Sequence, residues 1–201
     1  YIKNLKTNKE EELVITDEKV ITPGASLMQK NRNTNKLYIA YTSPKTPGKS
    51  YIYDIATKEK KLVKEEIVPS GHQPDDYIVE RLNCDSYDGR KIPLTITRHK
   101  KTKLDGTANL LLYAYGSYGA SMGPGFSSSR LSLINRNIIW VTAHIRGGME
   151  RGMSWWKEGK MLNKKNTFED YISSAKFLIE KKYTSKGKII GLGGSAGGLL
   201  M

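Results

Sequence analysis

Apolar positions come in short groups over the first third of the chain and in longer, denser runs after it. Up to about residue 68 the groups are Leu13-Val14-Ile15, Leu37 to Tyr41, Tyr51 to Ile55, and Leu62-Val63 with its flanks. Each has strand length and is bounded by turn residues, so four short strands are predicted. Pro44, Pro47 and Gly48 interrupt the chain between the second and third groups, and Ala56-Thr57-Lys58-Glu59-Lys60 is a polar turn between the third and fourth. Short antiparallel strands at this spacing suit a β-propeller blade. One or two blades cannot close a propeller, so such a unit needs further blades beside it. No internal repeat stands out.

Pro69-Ser70-Gly71-His72-Gln73-Pro74 stops regular structure and marks the expected domain boundary. Beyond it, Tyr77 to Cys84 and Lys91 to Arg98 read as strands joined by an Asp88-Gly89 turn. Ala108 to Ala114 and Ile138 to Ala143 are mostly apolar, as strands buried on both faces are. Ser129 to Arg136 is a short helix with Leu131, Leu133 and Ile134 inward. Phe168, Tyr171, Ile172, Ala175, Leu178 and Ile179 recur at helical spacing and predict a helix over about 168–182. Asn166 or Thr167 would cap it, with Glu169 and Asp170 at its positive end and Lys181 and Lys182 at the other. Lys188 to Leu192 is a third apolar strand. Strands alternating with helices predict an α/β architecture with parallel strands wrapped by helices.

Composition narrows the function classes. The 201 residues are 38% hydrophobic, enough for a core, and mean hydropathy is −0.52. No apolar run approaches the roughly 20 residues of a membrane span, and the Lys- and Glu-rich start has no apolar core of a signal peptide. The one cysteine, Cys84, has no partner for an internal disulfide and no nearby base, and is expected to be structural. A soluble, cytoplasmic protein is expected. The net charge of +13 raises nucleic acid as a partner, but the basic residues are spread along the chain without a nucleic-acid motif, so a solvated surface is expected. No metal-ligand spacing is present and no cofactor is expected.

The chemistry is concentrated near the end. Gly193-Gly194-Ser195-Ala196-Gly197 matches G-x-S-x-G between a strand and the start of a helix, which is the context of a nucleophile elbow. A sharp turn there pushes the Ser195 hydroxyl outward, and the Ala196 N–H is placed to stabilise a tetrahedral oxyanion. The loop Tyr113-Ala114-Tyr115-Gly116-Ser117-Tyr118-Gly119 follows an early strand, where such folds supply the other half of the oxyanion hole; its tyrosines either donate to the oxyanion or pack the loop. His144 is a tempting base. However, the acid and base of this class follow the serine, and His72, His99 and His144 all precede it. His144 is therefore expected to be structural.

Five segments resemble the prolyl oligopeptidase family, and most closely its oligopeptidase B branch. They are Ser86 to Pro93, Tyr113 to Gly119, His144 to Gly148, Lys164 to Asp170, and Gly193 to Gly198, in family order, with similarity from about residue 40 onward. The resemblance implies a seven-bladed propeller gating an α/β-hydrolase domain. Residues 1–70 would be the C-terminal part of the propeller. Residues 75–201 would be the N-terminal half of the catalytic domain, ending just after the elbow. It implies cleavage of short peptides, after Lys or Arg if the oligopeptidase B likeness holds. Ser195 matches the nucleophile, Tyr115 the oxyanion tyrosine, and Ala196 supplies the backbone donor. The family's catalytic Asp and His, and the acids that receive a basic side chain, lie in segments beyond Met201. Gly123 and Gly125 stand in a loop where some members carry acids. The first residue is not Met and the last residues read as a helix just beginning, so a chain cut at both ends is expected. A complementary chain carrying the missing Asp and His is one partner this allows. An inactive remnant is the competing reading, and an esterase of the same fold the third.

Overall fold

The computed structural model describes residues 1–27 and 34–201. The first third builds a four-stranded sheet from β3 (Thr22–Leu27), β4 (Lys36–Thr42), β5 (Lys49–Asp54) and β6 (Lys60–Glu65), each antiparallel to the next. Ahead of it β1 (Ile2–Lys3) pairs with β2 (Glu10–Glu11). The meander has the shape of one propeller blade. Its small core is Ile15, Ile39, Tyr41 and Tyr53.

Two expectations for this region need correction. Leu13-Val14-Ile15 is not a strand. Ile15 is buried against the sheet while Val14 is 59% exposed, and the Ile15 carbonyl accepts from Lys60 Nζ at 2.6 Å. The apolar side chain packs, but the backbone has no ladder partner. In contrast, Thr22–Leu27 is a strand that its proline and glycine concealed. It sits at the sheet edge, where Pro23 is tolerated opposite Tyr41, and pairing with β4 overrides its weak propensity.

From Tyr77 onward a five-stranded sheet runs in the order β11-β9-β10-β8-β7: β7 (Tyr77–Asp85), β8 (Lys91–His99), β9 (Asn109–Tyr113), β10 (Ile138–Ala143) and β11 (Ile189–Leu192). β9, β10 and β11 are mutually parallel, while β8 is antiparallel to both β7 and β10. The helices α1 (Ser128–Ile134), α2 (Met153–Lys157) and α3 (Lys165–Glu180) fill the connections. β8 has six consecutive buried residues, Ile92 to Thr97. Ile92, Leu94, Ile96, Leu110, Leu112, Ile139, Val141 and Leu178 belong to one hydrophobic core.

Helix α3 begins at Lys165, earlier than expected, so neither Asn166 nor Thr167 is its cap; Lys164 holds that position. Its inward stripe is Thr167, Asp170, Ser174 and Leu178, whereas Ile172 is exposed. The stripe is polar toward its start because two loops bring hydrogen-bonding groups there. Asp170 serves as the partner of a buried arginine, not as a complement to the helix dipole.

Candidate active site around Ser195

Parallel strands β9, β10 and β11 send their carboxyl ends to one edge of the sheet, where their loops gather. Leu192 pairs with Tyr113, so the turn after β11 emerges beside the turn after β9. Ser195 opens the helix expected there, a 3-10 helix over Ser195–Leu200. Its φ is +52°, the left-handed region that costs a non-glycine residue energy. The elbow therefore holds its serine in a strained backbone, a conformation that persists only where surrounding packing imposes it. Ser195 is exposed.

Gly197 explains how the two turns come together. A Cβ at that position would lie 2.8 Å from the Ala114 carbonyl oxygen and 3.2 Å from Tyr115 Cα. Only glycine lets the Tyr115 segment lie directly against the elbow. Tyr115 is half-buried there, its ring centroid 6.5 Å from that of Tyr118. Thus Ser195 and Ala196 meet Tyr115, some 80 residues earlier in the sequence, at one edge.

A buried ion pair holds the loop after β10. Arg146 is 1% exposed; its Nη2 donates to Asp170 Oδ1 at 2.6 Å, and its Nε and backbone N–H donate to Asp170 Oδ2, both at 2.9 Å. Its Nη1 donates to Asp88 at 2.6 Å and its Nη2 to Ser86 at 3.1 Å. Burial works against the guanidinium charge, but the bonds to Asp170 and Asp88 outweigh it and hold its pKa raised. Desolvation pushes the Asp88 carboxyl up, but the hydrogen bond and charge of Arg146 together with the backbone N–H of Arg90 outweigh it, leaving it below the ordinary value. One cluster therefore ties the β7–β8 turn, the loop after β10 and α3 together.

The start of α3 completes the scaffold. Thr167 Oγ1 is 2.9 Å from the Arg146 carbonyl and 3.1 Å from that of Gly159. Lys164 Nζ donates to the Gly116 carbonyl at 2.6 Å and to Ser117 Oγ at 2.8 Å, clamping the residues that follow Tyr115. Burial lowers the Lys164 pKa. Reading the sequence missed these supports, although Arg146 after a buried strand and Asp170 inside an apolar stripe were their signals. Between these loops lies a cavity of about 520 Å³, bordered by Tyr118, Trp156, Lys160, Met161, Ala196 and Leu199.

The other singled-out residues lie elsewhere. His144 is 2% exposed, with Nε2 accepting from Thr95 Oγ1 at 2.8 Å or from Arg81 Nη1 at 2.9 Å, and Nδ1 3.4 Å from Glu150 Oε1. His72 Nε2 donates to the Lys45 carbonyl at 2.6 Å, and His99 Nδ1 accepts from the Lys101 N–H at 3.1 Å. None of these three histidines hydrogen-bonds to Ser195. Cys84 is buried and free, its thiol pushed up to about 11 by burial. Gly123 and Gly125 face Thr22 and Thr42 of the four-stranded sheet. Among the described residues no helix is long and apolar enough to cross a membrane, and no cluster of acid, His or Cys side chains could hold a metal ion.

Comparison with known proteins gives concordant results. The sequence profile of the prolyl oligopeptidase family matches residues 124–201. Dipeptidyl aminopeptidase BI of Pseudoxanthomonas mexicana is 40% identical over 198 residues, covering 98% of this chain and 27% of that protein. Protease 2 of Moraxella lacunata is 40% identical over 88% of this chain and 26% of its own length. The structure of oligopeptidase B from Leishmania major superimposes with a TM-score of 0.82 at 36% identity, over 93% of this chain and 26% of that one. The chain spans about a quarter of the length of the relatives it matches.

Proposed function

We propose that this chain, whose residues 124–201 match the prolyl oligopeptidase family profile and which is 40% identical to its relatives, is the part of a serine peptidase that supplies the nucleophile and the oxyanion hole. In this reading residues 1–70 close a propeller and residues 75–201 form the first half of an α/β-hydrolase domain. Ser195 Oγ attacks the carbonyl carbon of a short peptide. The Ala196 N–H and the Tyr115 hydroxyl donate to the oxyanion that forms. The observation that carries the reading is the positive φ of Ser195 at a strand-to-helix turn, packed through Gly197 onto the Tyr115 segment.

A serine hydroxyl needs a base, and the three histidines of this chain are engaged elsewhere. The acid and base are supplied from outside these 201 residues, either by the same polypeptide or by a complementary chain. Cleavage after Lys or Arg belongs to the same proposal and is supported by the likeness to oligopeptidase B. The acids that would receive such a side chain also lie outside this chain, since the cavity beside Ser195 is bordered by lysines. A cytoplasmic location completes the reading, supported by a sole cysteine that is buried and free.

The test is hydrolysis of short peptides by the polypeptide carrying this chain together with the segment that supplies acid and histidine. Ser195→Ala is expected to reduce kcat by a factor on the order of 10⁴ or more. Equal turnover by the variant would exclude Ser195 as nucleophile.

A further inference from the structure

The cavity beside Ser195 carries two cations without a carboxylate. Lys160 Nζ sits 3.7 Å from the centroid of the Trp156 ring. Lys164 Nζ is half-buried and spends two of its three donors on Gly116 and Ser117. Glu158, the nearest acid along the chain, is taken by Arg90 at 2.8 Å and Arg146 at 3.9 Å. Much of the rest of the border is apolar and exposed: Tyr118 is 81% exposed, Met161 84% and Leu199 67%. Met161 also has φ +50°, in the left-handed region that is uncommon for a non-glycine residue.

Such a lining is wrong for a basic side chain and right for an anionic one. A cation resting on an indole face is attracted by the negative face of the ring, and its remaining N–H donors can reach a ligand. An apolar wall lowers the local dielectric and strengthens any pair that forms. Ala196 borders the same cavity, so a group bound there lies near the attacking serine.

Resting on the peptidase reading, we propose that this cavity is a substrate subsite in which Lys160, backed by Lys164, receives a carboxylate close to the scissile bond, with Trp156, Met161 and Leu199 packing the adjoining apolar side chain. The preferred peptides carry a free C-terminus or an acidic residue there. The positive charge of the site then selects among peptides independently of the residue that precedes the cleaved bond.

The test is binding to the full polypeptide carrying this chain, with Ser195→Ala to prevent turnover, followed by NMR through the backbone signals of Ala196 and Leu199 and the Trp156 indole N–H. Three probes separate the sources of the carboxylate: acetyl-Leu-Phe with a free acid, its C-terminal amide, and acetyl-Glu-Phe amide. The acid is expected to bind about tenfold more tightly than the amide, an advantage lost in Lys160→Gln and kept in Lys160→Arg. Tight binding of the glutamyl amide instead would assign the site to an acidic side chain, and equal binding of all three would overturn the subsite. Because the amide lacks the carboxylate, its shifts at Ala196 report on the peptidase reading alone. Absence of shifts with every probe would count against both.

Discussion

Strands β6 and β8 have opposite surroundings. All six residues of β6 are exposed, whereas six consecutive residues of β8 are buried. The four-stranded sheet buries a handful of aromatic and aliphatic side chains on one side. The five-stranded sheet is covered on both faces at its centre, and its strand ends carry the loops of the candidate site. A strand buried on both faces cannot shift register without moving polar groups into the core. That rigidity is what a site assembled from three separate loops requires. The blade-like sheet contributes contacts such as Thr42 Oγ1 accepting from the Phe126 N–H at 3.1 Å, but none of the proposed catalytic groups.

The comparison is broken most severely at Asp170. Replacing it with alanine leaves Arg146 buried without its main counter-charge, which should cost about 3–5 kcal/mol. Denaturant unfolding measures this, and the loss should fall on the five-stranded unit. Core truncation comes next. Leu112→Ala, at a fully buried position, should cost about 2–5 kcal/mol, while Leu62→Ala in β6, 45% exposed, should stay within about 0.5 kcal/mol. Similar costs at the two sites would show that the sheets do not differ as their burial indicates.

A smaller effect is expected at the elbow, with opposite sign. Ser195→Gly relieves the positive φ and should raise stability by about 1 kcal/mol, measurable as a higher midpoint of thermal unfolding. The smallest effect is on pH dependence. Asp88 has a folded pKa below its ordinary 3.8. Its contribution is therefore fully present above that value and is lost as pH falls through the lower folded value. Acid unfolding below about pH 4 should be less steep in Asp88→Asn than in the parent.

Much of the five-stranded sheet was legible in the sequence because its strands are apolar runs set off by turn residues, and burial on both faces writes that pattern directly. The turn at Ser195 was legible because Gly193 and Gly197 sit where a Cβ would strike the backbone. β3 was not, since a strand with proline and glycine is defined by its neighbour and not by its own residues. The start of α3 was misread for a related reason. Thr167 and Asp170 look like cap and surface residues, yet they point inward because Arg146 and two loop carbonyls meet them there. Lys160 and Lys164 read as ordinary charged surface; only the fold sets them around a cavity next to Ala196.

The most direct test of the central claim is covalent labelling of the polypeptide carrying this chain with a fluorophosphonate, which modifies an activated serine, followed by peptide mass mapping. The account predicts a single labelled site at Ser195. Labelling of a different serine, or hydrolysis of peptides by a protein whose Ser195 stays unlabelled, would contradict it.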